Sequence, residues 1–467
     1  MTEKHWGVSI TRDAISLAKR QGNEAIMLLI KSAQNSADLV FILENLGSLP
    51  ATFGSNCFIE LIKHENKDVR LWAIKNMGKL KDPNLLSTYV EVISNDKSTE
   101  VKREAVSSIG RLRNAIAIPI LMDILQNSDP KIVCQAIRGL LVFKGNEIVD
   151  QKLKDLIKHK NEMIVSVIQK EYFDKNLHNK NSEPHSFVHP FLTNVVVNGD
   201  VRDVLKYVPD ESIHLTFTSP PYYNARDYSI YPSYEDYLKF LAEVFRETYR
   251  ITKEGRFLII NTSPVIVPRI SRAHSSKRYP IPFDMHKDLI EMGWEFIDDI
   301  IWMKPEYSVK NRIGGFQQHR KPLAYKPNSV TEYLMVYRKQ TTKLIDWNIR
   351  QYSQEIVNQS RVADGFETTN VWQISPKSDK IHSAVFPYEL CKRVIEYYSF
   401  VEDVVFDPFG GSGTLGRTAK SLNRKFFMTE KDEKYFEYMK SFPRENKLNQ
   451  KPTDFFSLEQ FKNTIMP

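Results

Sequence analysis

Cysteine is scarce in this chain: three residues, Cys57, Cys134 and Cys391, among 467. They stand too far apart for a disulfide framework or a paired-cysteine zinc site. A reducing cytoplasm is therefore the expected setting, and no metal centre is expected. Long apolar runs are also missing. The most apolar stretch, Ala115 to Met122, stops at Asp123, well short of the roughly 20 residues that span a bilayer, so no membrane partner is expected. The opening MTEKHWGVSITRDAISLAKR mixes acids with bases and has no apolar centre of the signal-peptide kind. No glycine loop is followed by Gly-Lys-Thr, which argues against a phosphate-gripping P-loop. What is present is ordinary for a globular protein, with 42% hydrophobic and 26% charged residues, enough chain for two or three domains. A net charge of +8 favours a polyanionic partner.

The first third repeats itself. Segments beginning at Asp68, Glu100 and Lys131 superpose, and Glu162 follows in register; their aligned small residues Ala73, Ala105, Ala136 and Val167 recur at steps of 32, 31 and 31. Gly47 precedes Gly78 by 31, so a degenerate repeat is expected to begin near Asp38. Each unit reads as a polar turn, a helix and a second apolar helix. Stacked helical hairpins bury their faces only against their neighbours, which makes a solenoid. The segment, roughly 35 to 173, resembles the HEAT family, and the resemblance implies a curved surface for a large partner.

At Asp174 to Pro184 the composition turns polar and Asn-rich, the mark of a linker. We expect a helical domain over 1–173, a linker over 174–190 and a second domain over 191–467. In the second domain short β-rich runs (194–197, 213–218, 256–260, 295–302, 332–337, 404–406 and 425–428) alternate with helical patterns such as 234–249 and 387–398. That alternation predicts an α/β fold of Rossmann type with a mostly parallel sheet.

Two motifs carry the chemistry. Thr218-Ser219-Pro220-Pro221-Tyr222 follows an apolar strand. The prolines cannot donate to a ladder, so the strand ends in a rigid extended turn that offers carbonyls, the Ser219 hydroxyl and the flat face of Tyr222. Such a turn could hold a planar group bearing an amine. In the second motif, Asp407-Pro408-Phe409-Gly410-Gly411-Ser412-Gly413-Thr414 joins a strand to a helix, and the next strand ends at Glu430. A glycine loop lets the backbone approach a nucleotide-like ligand, and an acid at the neighbouring strand tip is placed to accept from ribose hydroxyls. The same loop also suits a tight strand-to-helix turn.

Residues 191 to about 440 resemble the amino-group DNA methyltransferases that modify cytosine N4 or adenine N6. The catalytic motif precedes the cofactor loop, the order of the β group of that family. Asn198-Gly199-Asp200, Trp302-Met303-Lys304 and His382-Ser383-Ala384-Val385-Phe386-Pro387 also match, with Ser383 where the family commonly has proline. The resemblance implies S-adenosylmethionine as cofactor, contacted by Asp200, His382, Asp407, Phe409, Gly411, Gly413, Thr414 and Glu430. It implies Ser219, Pro220, Pro221 and Tyr222 as the catalytic set, acting on a base extruded from double-stranded DNA. The expected setting is a prokaryotic, nucleoid-associated restriction-modification or defence system. Because Ser219 stands where adenine enzymes commonly carry Asp, N4-methylcytosine is the expected product and N6-methyladenine the alternative. A different class also fits the same sequence: a HEAT-based scaffold, binding nucleic acid or a partner protein, with a vestigial methyltransferase domain. The basic and aromatic segments 268–278 and 307–321, and the region 340–376, are the candidates for target recognition.

Overall fold

The computed structural model describes residues 10–49, 53–173, 184–223, 231–267, 271, 273, 277–309, 322–323, 328–377, 385–441 and 451–465. By internal packing the chain divides into two units, Met1–His178 and Asn179–Pro467. Among the described residues no helix is long and apolar enough to cross a membrane.

The first unit is built of paired helices. Helices Lys67–Leu80, Thr99–Arg111, Pro130–Leu140 and Glu162–Ile168 occupy equivalent places in successive repeats. Three of them start at a side-chain cap, Asn66, Asp129 or Asn161, whose oxygen accepts from a first-turn N–H that has no partner within the helix. Ala73, Ala105 and Ala136 are fully buried. Val167 is half-buried, and Ile164 and Ile168 carry the core of that repeat instead. Adjacent helices approach at small residues: a Cβ on Gly78 would fall 2.4 Å from Ser108 Oγ, and one on Gly110 would fall 2.9 Å from Gly139 Cα. Gly47 plays no such part. It lies beyond helix Ser36–Asn45 with φ 61°, in the left-handed region that glycine enters without strain.

The second unit is a nine-stranded sheet covered by helices on both faces. Its strands are β1 Val195–Asn198, β2 Ile213–Thr218, β3 Thr252–Thr262, β6 Trp294–Met303, β7 Thr331–Lys339, β8 Val371–Gln373, β9 Val404–Asp407, β10 Lys425–Glu430 and β11 Asp454–Ser457; β4 Val265–Val267 and β5 Lys277–Tyr279 form a separate hairpin. The order is β11-β1-β10-β9-β2-β3-β7-β6-β8, and β7 alone runs against the others. Alternate residues feed opposite cores. Val196, Leu215, Val405 and Met428 pack with helices Tyr388–Tyr398 and Thr414–Ser421, while Val195, Val197, Phe406 and Phe427 pack with Val204, Val244 and Phe461. Strands buried on both faces read as continuous apolar runs, which is why VVV and VVF stand out in the sequence.

A buried polar cluster ties the opposite edge of the sheet from the motifs. Asp403 pairs with Arg256 and accepts from Tyr352 Oη at 2.6 Å. His214 Nδ1 accepts from Val404 N at 3.1 Å, which leaves Nε2 to donate to the His185 carbonyl at 2.6 Å. Burial pushes the His214 imidazole down to about 3. Lys253 Nζ donates to the carbonyls of Pro184 and Phe187. The described end of the expected linker, 184–190, is thus folded into the second unit, and its residues 174–183 lie outside the described residues.

Candidate active site

The site forms where the chain leaves the sheet in opposite directions. From β9 it crosses through helix Thr414–Ser421 to β10 on one side, and from β2 through helix Tyr234–Ile251 to β3 on the other. The loops at the carboxyl ends of β9 and β2 diverge and leave a crevice, the usual ligand position in an open α/β sheet. Here it is a cavity of about 710 Å³, lined among others by Asp200, Ser219, Pro220, Pro221, Tyr222, Asp407, Phe409, Gly411, Thr414 and Glu430. Ten of the twelve residues singled out from sequence therefore meet in one place. Gly413 is absent from the lining: at φ 74° it starts the helix, and a Cβ there would fall 2.8 Å from Met439 Sδ. His382 lies outside the described residues, as do most residues of the recognition candidates 268–278 and 307–321, whereas the third candidate, 340–376, is described throughout.

The glycine-loop half of the cavity is organised by two carboxylates. Asp407 Oδ1 accepts from Thr218 Oγ1 at 2.7 Å and from Phe409 N at 3.0 Å, so the end of β9 is bonded to the end of β2. Burial pushes the Asp407 carboxyl up to about 6. Glu430 accepts from Gly411 N and Asp432 N, each at 2.7 Å. Burial raises it to about 7, only partly opposed by those two bonds. The half-buried carboxylate at the tip of β10 thus receives a backbone donor on each oxygen and still lines the cavity, where ligand hydroxyls could reach it. Gly411 has φ 52°, and a Cβ on Gly410 would sit 3.2 Å from the Thr429 carbonyl, so the loop keeps its backbone bare beside the cavity. Asp200 stands at the rim. Burial works to raise its carboxyl, but bonds from Arg202 and from Lys431 outweigh that and hold it down at about 2.

The catalytic-motif half contains residues that sequence reading passed over. Asn261, at the end of β3, donates from Nδ2 to Glu332 Oε2 at 2.6 Å and toward Ser219 Oγ at 3.4 Å. Tyr222 Oη donates to the same Glu332 oxygen at 3.0 Å, and Lys304 Nζ donates to Glu332 Oε1. Burial and the Glu332 charge raise the Tyr222 phenol well above its ordinary value, so it stays a donor. Lys304 belongs to a stretch already noted for its family likeness. Asn261 and Glu332 were marked only by being polar at the ends of the apolar runs LII and YLMVY.

A doubly wound sheet with a bare glycine loop, a carboxylate at the neighbouring strand tip and a Ser-Pro-Pro-Tyr turn on one crevice is the arrangement of nucleotide-cofactor methyltransferase folds. Comparison supplies the family. Residues 213–441 match the N6/N4 DNA methylase family, and residues 55–142 and 86–166 match HEAT repeats. The second unit thus carries the DNA methylase match and the first the HEAT-repeat match. The chain is 26% identical over 323 residues to the type II β methyltransferase M.BslI of Bacillus sp. (strain NEB-606), covering 67% of this chain and 34% of that protein. It is 28% identical over 270 residues to the type II methyltransferase M.Cfr9I of Citrobacter freundii, covering 51% and 83%. It thus spans about a third of the first relative's length and most of the second's. Among solved structures, the PvuII cytosine-N4-specific DNA methyltransferase aligns with 61% of this chain and 96% of its own, at 19% identity and a TM-score of 0.42.

Proposed function

We propose that the second unit transfers a methyl group from S-adenosylmethionine to the exocyclic amine of a base extruded from double-stranded DNA, and that the base is cytosine, modified at N4. The observation that carries this reading is the meeting of the Ser219 turn and the Gly411–Glu430 pair in a single cavity. When bound, the cofactor supplies an electrophilic methyl on a sulfonium. Glu430 would hold the ribose hydroxyls, and Gly411, Phe409 and Thr414 the flanking groups. The chain's remaining task is to present the amine. An aromatic amine is a poor nucleophile because its lone pair is delocalised into the ring. Hydrogen bonds from the amine to the Ser219 Oγ and to the Pro220 carbonyl favour a pyramidal nitrogen and offset the positive charge that grows on it. Tyr222 stacks on the extruded ring. The prolines hold these groups at a fixed offset, and positioning of this kind accounts for several kcal/mol of barrier.

Cytosine is preferred because Ser219 is neutral. The edge of cytosine beside N4 already presents the acceptors N3 and O2, and a carboxylate at this place would add charge against them. Mass spectrometry of nucleosides from DNA treated with the protein tests the reading. N4-methylcytosine is expected. N6-methyladenine as the sole product would replace the base and keep the reaction, whereas transfer only to RNA or protein, or to nothing, would sink the proposal.

The HEAT unit would add affinity for long DNA or hold a partner protein. A chain beginning just before Pro184 keeps the contacts of Lys253 and His214 with 184–187, so it should bind S-adenosylmethionine normally and bind long DNA, or the partner, more weakly. Equal affinity for both with and without residues 1–173 would remove that role from the repeats.

A further inference from the structure

The sheet brings together a charged group that the reaction as described leaves unused. Because β7 runs against its neighbours, its first residues, not its last, lie at the carboxyl edge where the cavity opens. Trp302 of β6 pairs with Glu332, and Asn261 of β3 pairs with Leu334 two residues further on. Glu332 is therefore flanked by Lys304 from the end of β6 and Asn261 from the end of β3, and all three line the cavity with Tyr222. Its carboxylate receives three donors: Lys304 Nζ on Oε1, and Tyr222 Oη and Asn261 Nδ2 on Oε2.

We propose that Glu332 is a positioning residue for methyl transfer, the acceptor that fixes the tilt of the Tyr222 ring and the orientation of the Asn261 amide against Ser219. This rests on the function proposed above. A carboxylate has no donor of its own, so the amide must turn Nδ2 toward it; the flipped amide would set two acceptors face to face. That choice also turns Nδ2 toward Ser219 Oγ, so one lone pair of the hydroxyl is engaged and the other is left for the substrate amine. The Tyr222 phenol stays a donor, so its bond to Oε2 holds the ring at both ends, by the Pro-Pro turn at Cα and by Glu332 at Oη. Lys304 pairs with the carboxylate in a largely buried place.

The test compares single-turnover methyl transfer, S-adenosylmethionine affinity and melting temperature for the full-length protein, Glu332→Gln, Tyr222→Phe and the double variant. Glutamine keeps the size but presents a donor and an acceptor where two acceptors stood. Glu332→Gln should lower the transfer rate about ten- to a hundredfold, the scale set by a misplaced reacting group, with cofactor affinity unchanged. Tyr222→Phe, which keeps the ring and loses only the bonded hydroxyl, should lower it less. The double variant should be no slower than Glu332→Gln, because both changes break the same bond. Glu332→Asp, which keeps the charge and shortens the reach, should also slow transfer and serves if the glutamine variant does not fold. A wild-type rate in Glu332→Gln, or losses that multiply in the double variant, would overturn the role of Glu332 alone. No transfer by the unaltered protein would overturn the function and this role together.

Discussion

Ser219→Ala should cut methyl transfer by about a hundredfold or more, the usual cost of losing a group that handles the proton and charge of the reacting atom, and should leave S-adenosylmethionine binding intact. The two effects separate because the cavity has two halves. Ser219 sits in the turn after β2, with Asn261 Nδ2 at 3.4 Å from its hydroxyl. The glycine-loop half is held by other bonds, Thr218 and Phe409 on Asp407 and Gly411 and Asp432 on Glu430. Removing the Ser219 hydroxyl touches none of them. Rapid-quench transfer of a labelled methyl group beside calorimetric titration of the cofactor would separate rate from affinity. A Ser219→Ala protein that turns over at the unaltered rate would remove the serine from the mechanism.

Gly411→Val should abolish cofactor binding. At φ 52° Gly411 occupies the left-handed region, where a side chain costs about 1–2 kcal/mol and a β-branched one more. Its N–H donates to Glu430 Oε2 and the residue lines the cavity. Valine would turn the backbone out of this conformation, break that bond and place two methyl groups near the space the ligand would use. The neighbouring helix begins only at Thr414, so the second unit should still unfold cooperatively, and a circular dichroism melt alongside the titration would show it. Normal binding of S-adenosylmethionine by Gly411→Val would mean that the loop is a plain strand-to-helix turn.

Much of this architecture is legible from residues whose local preference and tertiary role agree. The runs 404–406 and 425–428 fall within β9 and β10, which are mostly apolar because both faces of these strands are buried, and 213–218 forms β2, whose apolar residues alternate with the buried His214, Thr216 and Thr218. Helix Tyr234–Ile251 follows from its 3.6-residue spacing and from the Ser233 cap. The short strands β8 and β11 carry no such signal. At three and four residues, half exposed, VWQ and DFFS are strands only because β6 and β1 offer them an open edge.

The sequence by itself determined the two-part composition of this protein, the period of its repeats, and the two motifs that line the cavity. Each of these depends on neighbours a few residues away: a proline that ends a strand, a glycine that permits a left-handed turn, an alanine that lets one helix lie against the next. Tertiary structure alone decided which distant groups stand behind those motifs. The direction of β7, antiparallel to both neighbours, is not encoded within the strand itself. That direction brings Glu332 to the same edge as Lys304 and Asn261. Had β7 run parallel, its other end would face the cavity, and the carboxylate would lie at the opposite edge of the sheet, beside the Arg256–Asp403 pair. A side chain's chemistry is written in the sequence, but the company it keeps across strands depends on register and direction, which local pattern does not encode.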